Sequence, residues 1–160
     1  MKKMRLSLFV CLVLLLALVL PANATNYRSF FKLKGVDGPH RIMGSGGWFD
    51  CVNVMFSIKG LKRIDKLLAN PGSISAQIFT SKKRPYNFFV VKKTHARQDD
   101  FKKLLKARTK VTLGKILYKT NNGDKIGLDL KGVRVSAITP RGAADRLVLK
   151  VDQVSIGPVK

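Results

Sequence analysis

The residues able to do chemistry in this sequence are few and scattered. His40 and His95 both sit in loop-like stretches among basic residues. A zinc centre needs further Cys or His at short spacing, or carboxylates beside them, and neither histidine has that company. Both therefore read as surface histidines. Asp99-Asp100 is the nearest approach to a carboxylate pair, but adjacent residues on a helix do not face each other, and acids at a helix start are explained by capping. The run "GSGG", Gly44 to Gly47, lacks the Lys-Ser/Thr end of one phosphate loop and the strand-to-helix setting of the other. It reads as a flexible loop. Cys51, close to Val52 and Val54, has no histidine placed beside it by sequence and no local signature of a nucleophile. A buried small hydrophobe is the simpler account. The sequence thus predicts no enzyme, no cofactor and no metal site.

Binding chemistry has more support. "SKKRPYNFFVVKK" interleaves cations with aromatic rings, a pattern that meets phosphates and stacks bases. Its Lys82, Lys83, Arg84, Lys92 and Lys93 are the candidate polyanion contacts. The competing reading is preferred: Phe88 and Phe89 belong to a strand and the cations around them are solvated. The formal charge is +22 over 160 residues, and all nine acids are Asp. Such a charge favours anionic partners, whether nucleic acid, anionic lipid or an acidic protein. It is spread along the whole chain, so that binding is expected to be non-specific.

The first 24 residues precede the fold. "MKKMR" is a positive start, "LSLFVCLVLLLALVL" an apolar run and "PANA" a small-residue end, the pattern of a signal peptide cleaved after Ala24. Leu6 to Leu20 is shorter than the roughly 20 residues a membrane span needs. No transmembrane segment is then expected in the mature chain, and an exported protein, periplasmic or secreted, is. The leader holds three of the 31 Lys and Arg residues and no acid, leaving a formal +19. Residues 25–160 suffice for a single domain with its own core. Cys51 is the one cysteine left after cleavage, which excludes an intrachain disulfide.

The elements follow from periodicity. "YRSFFKLKGV" is a strand with Ser29, Phe31 and Leu33 on one face. "DGPHRIMGSGGW" reads as a loop. "FDCVNVMFSI" alternates, with Val52, Val54, Phe56 and Ile58 as the expected core face. In "GLKRIDKLLANPGS" a short helix ended by Pro71-Gly72 and two extended pieces both fit. Ile74, Ala76 and Ile78 share a phase, and "FFVVKK" is another strand. The clearest helix is "HARQDDFKKLLKARTK", with Asp99 or Asp100 at its start and Phe101, Leu104 and Leu105 on its apolar face. Asn122-Gly123 marks a hairpin. Beyond it Leu128 and Leu130 change phase before Val133 and Val135, which predicts a bulge near Lys131-Gly132. A second slip is expected at Ala137-Ile138 and a third near Asp152-Gln153, after Leu147, Leu149 and Val151. Six to eight short strands with Gly and Asn turns predict a mostly β protein, a small antiparallel β-barrel with one flanking α-helix.

In their order, "FFKLKGVDG", "GGWFDCVNVMFSI", "FFVVKKTHARQDDFKKLLKA" and "GDKIGLDLKGVRVSAITPRGAADRLVLKVDQVSI" make the chain resemble the haemolysin-coregulated protein (Hcp) family, the tube subunits of bacterial type VI secretion. The resemblance implies a compact barrel with a flanking helix. It also implies assembly into a hexameric ring that stacks into a tube, with secretion spike and effector proteins as partners. The loops "VDGPHRIMGSGG" and "TPRGAAD" are then the expected ring contacts, through Val36, Asp37, Gly38, Arg41, Gly44, Thr139, Arg141 and Asp145. The alternative is an exported monomeric or dimeric basic protein of the same fold that binds a polyanion or acidic surface.

Overall fold

The computed structural model describes residues 27–61, 63–94 and 98–159. The expected leader, its cleavage site and His95 lie outside the described residues. Among these residues nine strands and two helices follow in the order β1 (Tyr27–Leu33), β2 (His40–Ile42), β3 (Ser45–Phe56), α1 (Ile64–Ala69), β4 (Gln77–Thr80), β5 (Tyr86–Lys93), α2 (Gln98–Ala107), β6 (Lys110–Thr120), β7 (Lys125–Arg141), β8 (Ala144–Val151) and β9 (Gln153–Pro158), with a 3-10 turn at Pro71–Ser73 after α1.

All strand pairings among the described residues are antiparallel, in the order β4-β9-β7-β6-β1-β3-β5-β8, with β2 alongside β3. The expected small barrel is corrected here, because the sheet does not close edge to edge. Among the described residues strand β4 pairs with β9 alone and ends the sheet, and β7 is long enough to be shared by two neighbours in tandem. Its first part pairs with β9 through Ile126 to Lys131, and its last part with β8 through Arg134 to Arg141. The sheet folds over on itself with the main core between its layers. Hairpin turns build this arrangement locally. Lys119 pairs with Lys125 around the Asn122-Gly123 turn, and the Thr120 N–H donates to the Asp124 carbonyl at 2.9 Å.

The core consists of the in-phase residues of each strand: Phe31 and Leu33, Phe88 and Val90, Ile126 to Leu130, and Leu147 to Val151 at alternate positions. Helix α2 covers one side of it and packs on β7. Its Phe101 is buried, with ring centroids 6.3 Å from Phe31 and 5.2 Å from Phe49. A second, smaller cluster of Phe30, Trp48 and Leu117 lies on the opposite face of β1 and β6.

Several local expectations change. The presumed loop "DGPHRIMGSGGW" contains a hairpin in which β2 folds onto β3 around Met43-Gly44, both at positive φ (53° and 75°) as tight hairpin turns require. In β3 the pairing with β5 shifts between Cys51 and Asn53. The extra residue, Val52, points to solvent at 63% exposure, while Cys51 and Val54 are buried. Ile78, in phase with Ile74 and Ala76, is 68% exposed on edge strand β4, and Phe79 turns inward. Of the two readings for the segment after Gly60, the structure has the helix, α1, with Leu68 buried.

The slip near Lys131-Gly132 is present but shared. Burial moves from Ile126, Leu128 and Leu130 to Val133 and Val135, yet the register against β6 is unchanged from Lys119↔Lys125 to Lys110↔Arg134. The partner strand changes phase at the same level, between Val111 and Gly114. Gly132 has φ +65°, and a Cβ there would run into the Asp152 carboxylate and the Lys110 side chain. One corner thus bends β6 and β7 together beside the β8–β9 turn. The second slip falls between Val135 and Ala137.

Candidate functional site

Strand β5 carries its inward phase through Phe88 and Val90 to Lys92, and β8 carries its own from Val151 through Leu149 and Leu147 to Asp145. Lys92 and Asp145 are register partners. Their charged groups meet at 3.0 Å, and each side chain is 1% exposed. The Lys92 ammonium also lies 5.3 Å from the ring centroids of both Phe49 and Phe101, close enough for attraction to the ring faces. This ion pair ties β5, β8, β3 and α2 together from inside. Lys92 therefore leaves the set of polyanion contacts and Asp145 leaves the ring contacts. The signal for the pair was in the sequence: two opposite charges occupy in-phase core positions of two apolar strands.

The remaining expected contacts are spread over separate parts of the fold. Lys93 pairs with Ala144 next to the β7–β8 turn, and the Thr94 N–H donates to the Ala143 carbonyl at 2.9 Å. Strand β3 runs from Cys51, opposite Lys92, back to the β2–β3 hairpin. Asp37, Arg41 and Gly44 are exposed on the hairpin side, and Thr139 and Arg141 at the end of β7. Gly38 is half-buried against the Trp48 carbonyl. Val36 is buried in the core and makes no surface. Lys93 remains exposed but is engaged: its ammonium is 2.9 Å from Asp50, which also meets Arg28 at 3.3 Å. Partial burial works to raise the Asp50 pKa, yet these two cations outweigh it and hold the carboxyl below its ordinary value.

Beneath the β2–β3 hairpin a cleft of about 890 Å³ opens over the outer face of β6, β7 and β9. Gly127 and Gly157 lie opposite each other across β7 and β9 and keep its floor low. Trp48, Lys32, Lys115 and Asp129 line the walls, with the Lys32 ammonium 5.9 Å from the Trp48 ring and Lys115 3.5 Å from Asp129. Such a lining combines charged groups with apolar contact area. Cys51 lies in the main core. Burial first, and then the neighbouring Asp50, against a weaker opposing effect of Lys92, push its thiol up to about 12, so it stays protonated at neutral pH.

The other candidates are placed as follows. His40 is exposed on β2 opposite Trp48. Asp99 and Asp100 lie in the first turn of α2 and pair with Lys102 and Lys103 at 3.3 and 3.5 Å. Ser45, Gly46 and Gly47 begin β3 rather than forming a free loop. Among the described residues no group of three or more His, Cys or acidic residues is placed to hold a metal ion. Lys82, Lys83 and Arg84 are exposed on the β4–β5 connection.

No protein-family model matches the sequence, and no curated protein matches it. Solved structures do match. Hcp2 from Salmonella typhimurium superposes with a TM-score of 0.59 at 11% identity, over 82% of this chain and 91% of that one. Hcp1 from the same organism gives 0.57 at 11% identity, over 79% and 85%. A type VI secretion system effector from Yersinia pestis gives 0.58 at 6% identity, over 82% and 95%. At these identities the likeness establishes a shared fold.

Proposed function

We propose that this chain is a non-catalytic, self-associating structural protein of the type VI secretion tube class, exported by its leader and closing into a six-membered ring able to carry effectors. The observation that carries the reading is the extent of the fold likeness, which spans 82% of this chain and 91% of Hcp2. It is supported by the exposure of Asp37, Arg41, Gly44, Thr139 and Arg141, which leaves both expected contact loops accessible to a neighbouring copy. Identical subunits joined head to tail through two different patches close into a ring when the rotation between them permits. The reading is tested by measuring the mass of residues 25–160 by light scattering at low and near-physiological salt. A particle of six copies is expected at both. A monomer at high protein concentration and moderate salt overturns the proposal.

A further inference from the structure

We propose that the outer face of β5, β7 and β8, with the start of β6, is a docking surface for an anionic lipid bilayer. The register aligns a cationic row across three strands: Lys110 pairs with Arg134, and Arg134 with Lys150. All three are exposed. They point outward because their strand neighbours Val111, Val133, Val135, Leu149 and Val151 are buried. Like charges directly opposite on adjacent strands repel. Asp152 pairs with Lys110, whereas Arg134 and Lys150 have no acidic partner among the described residues. The Ser81 N–H donates to the Asp152 carbonyl at 2.9 Å, which starts the exposed Lys82-Lys83-Arg84 loop beside the same corner. The row is a cation surplus held in place by the sheet.

The neighbouring row selects the partner. Met55, Phe89 and Val148 are register partners on the same outer face, two residues or about 7 Å along the strands from Lys150. Met55 is 44% exposed, and Phe89 and Val148 are half-buried. Cations beside an apolar strip match a lipid surface, where phosphates lie next to acyl chains. A nucleic acid would instead need open aromatic faces for its bases. Phe89 is the aromatic residue of this row, and the Arg146 guanidinium lies over its ring at 4.6 Å.

The test compares co-sedimentation of the processed protein, as purified from its expressing cell, with phosphatidylcholine vesicles that do or do not contain phosphatidylglycerol. The double variant Arg134→Gln/Lys150→Gln is set against Lys119→Gln/Lys125→Gln, a register pair at the far hairpin with the same change in net charge. Each basic residue near an anionic leaflet contributes roughly fivefold to partition, so the first variant should lose about 25-fold and the second less than about twofold. Relief of repulsion should also leave the first variant melting no lower than the parent. Met55→Ser should weaken vesicle binding at unchanged charge. Equal losses in both double variants, or no dependence on phosphatidylglycerol, overturn the proposal. So does tighter, salt-resistant binding of a single-stranded oligonucleotide that the Arg134→Gln/Lys150→Gln variant loses. Light scattering of each variant separates this surface from ring formation.

Discussion

Replacing Lys92 by Met removes the ammonium from the interior while keeping most of the side-chain volume, and takes from the buried Asp145 carboxylate the cation it meets at 3.0 Å. With an effective dielectric constant of about 20, the lost attraction is about 5 kcal/mol. Desolvation of both groups offsets much of this in the parent. Breaking such a pair by removing one partner costs about 3 to 5 kcal/mol, whereas replacing both by apolar residues is often neutral. Lys92→Met should thus lower the urea midpoint by about 2 M, taking a slope near 2 kcal/mol/M. Asp145→Leu should do the same. The double variant Lys92→Met/Asp145→Leu should return to within about 1 kcal/mol of the parent, a coupling of at least about 5 kcal/mol. Trp48 is the single tryptophan and is 5% exposed, so its fluorescence can follow unfolding in all four proteins. A cost below about 1 kcal/mol for Lys92→Met, or simple additivity of the two substitutions, would refute the reasoning.

Gly132→Ala should cost about 1 to 3 kcal/mol in the same melts, because its φ of +65° disfavours a side chain and the new Cβ would meet Asp152 and Lys110. Val52→Ser should change stability by less than about 0.5 kcal/mol, while Leu149→Ala should cost about 2 to 5; the opposite ranking would reinstate Val52 as core. The Tyr118 hydroxyl is buried without a hydrogen-bond partner among the described residues, so Tyr118→Phe should be neutral or stabilise by about 1 kcal/mol in thermal melts. Asp50 has a folded-state pKa below its ordinary 3.8, so its contribution is complete above that value and is lost as pH falls below it. Melts between neutral pH and pH 3 should show a smaller acid-dependent loss in Asp50→Asn than in the parent.

Local chemistry made much of this protein legible from its sequence. Alternation located most of the strands, Asn122-Gly123 located a hairpin, and Phe101, Leu104 and Leu105 located α2 with its apolar face on the core. Each of these signals lies within a few residues of the element it specifies. Even the phase change at Lys131-Gly132 could be read, since a glycine between two apolar sets marks where a strand must bend. What depended on distant partners was decided by tertiary structure. A one-residue shift against β5 sent Val52 to solvent and kept Cys51 inside, because every side chain beyond a bulge exchanges faces. The end of the sheet at β4 and the division of β7 between β9 and β8 were set by pairings between distant segments. Of the expected surface residues, Lys92 and Asp145 became one buried ion pair, although 53 positions separate them. Lys110, Arg134 and Lys150 became a row only through strand register. Charge type is written in the sequence, but whether a charge is solvated, paired or aligned with others is set by which strands lie beside it.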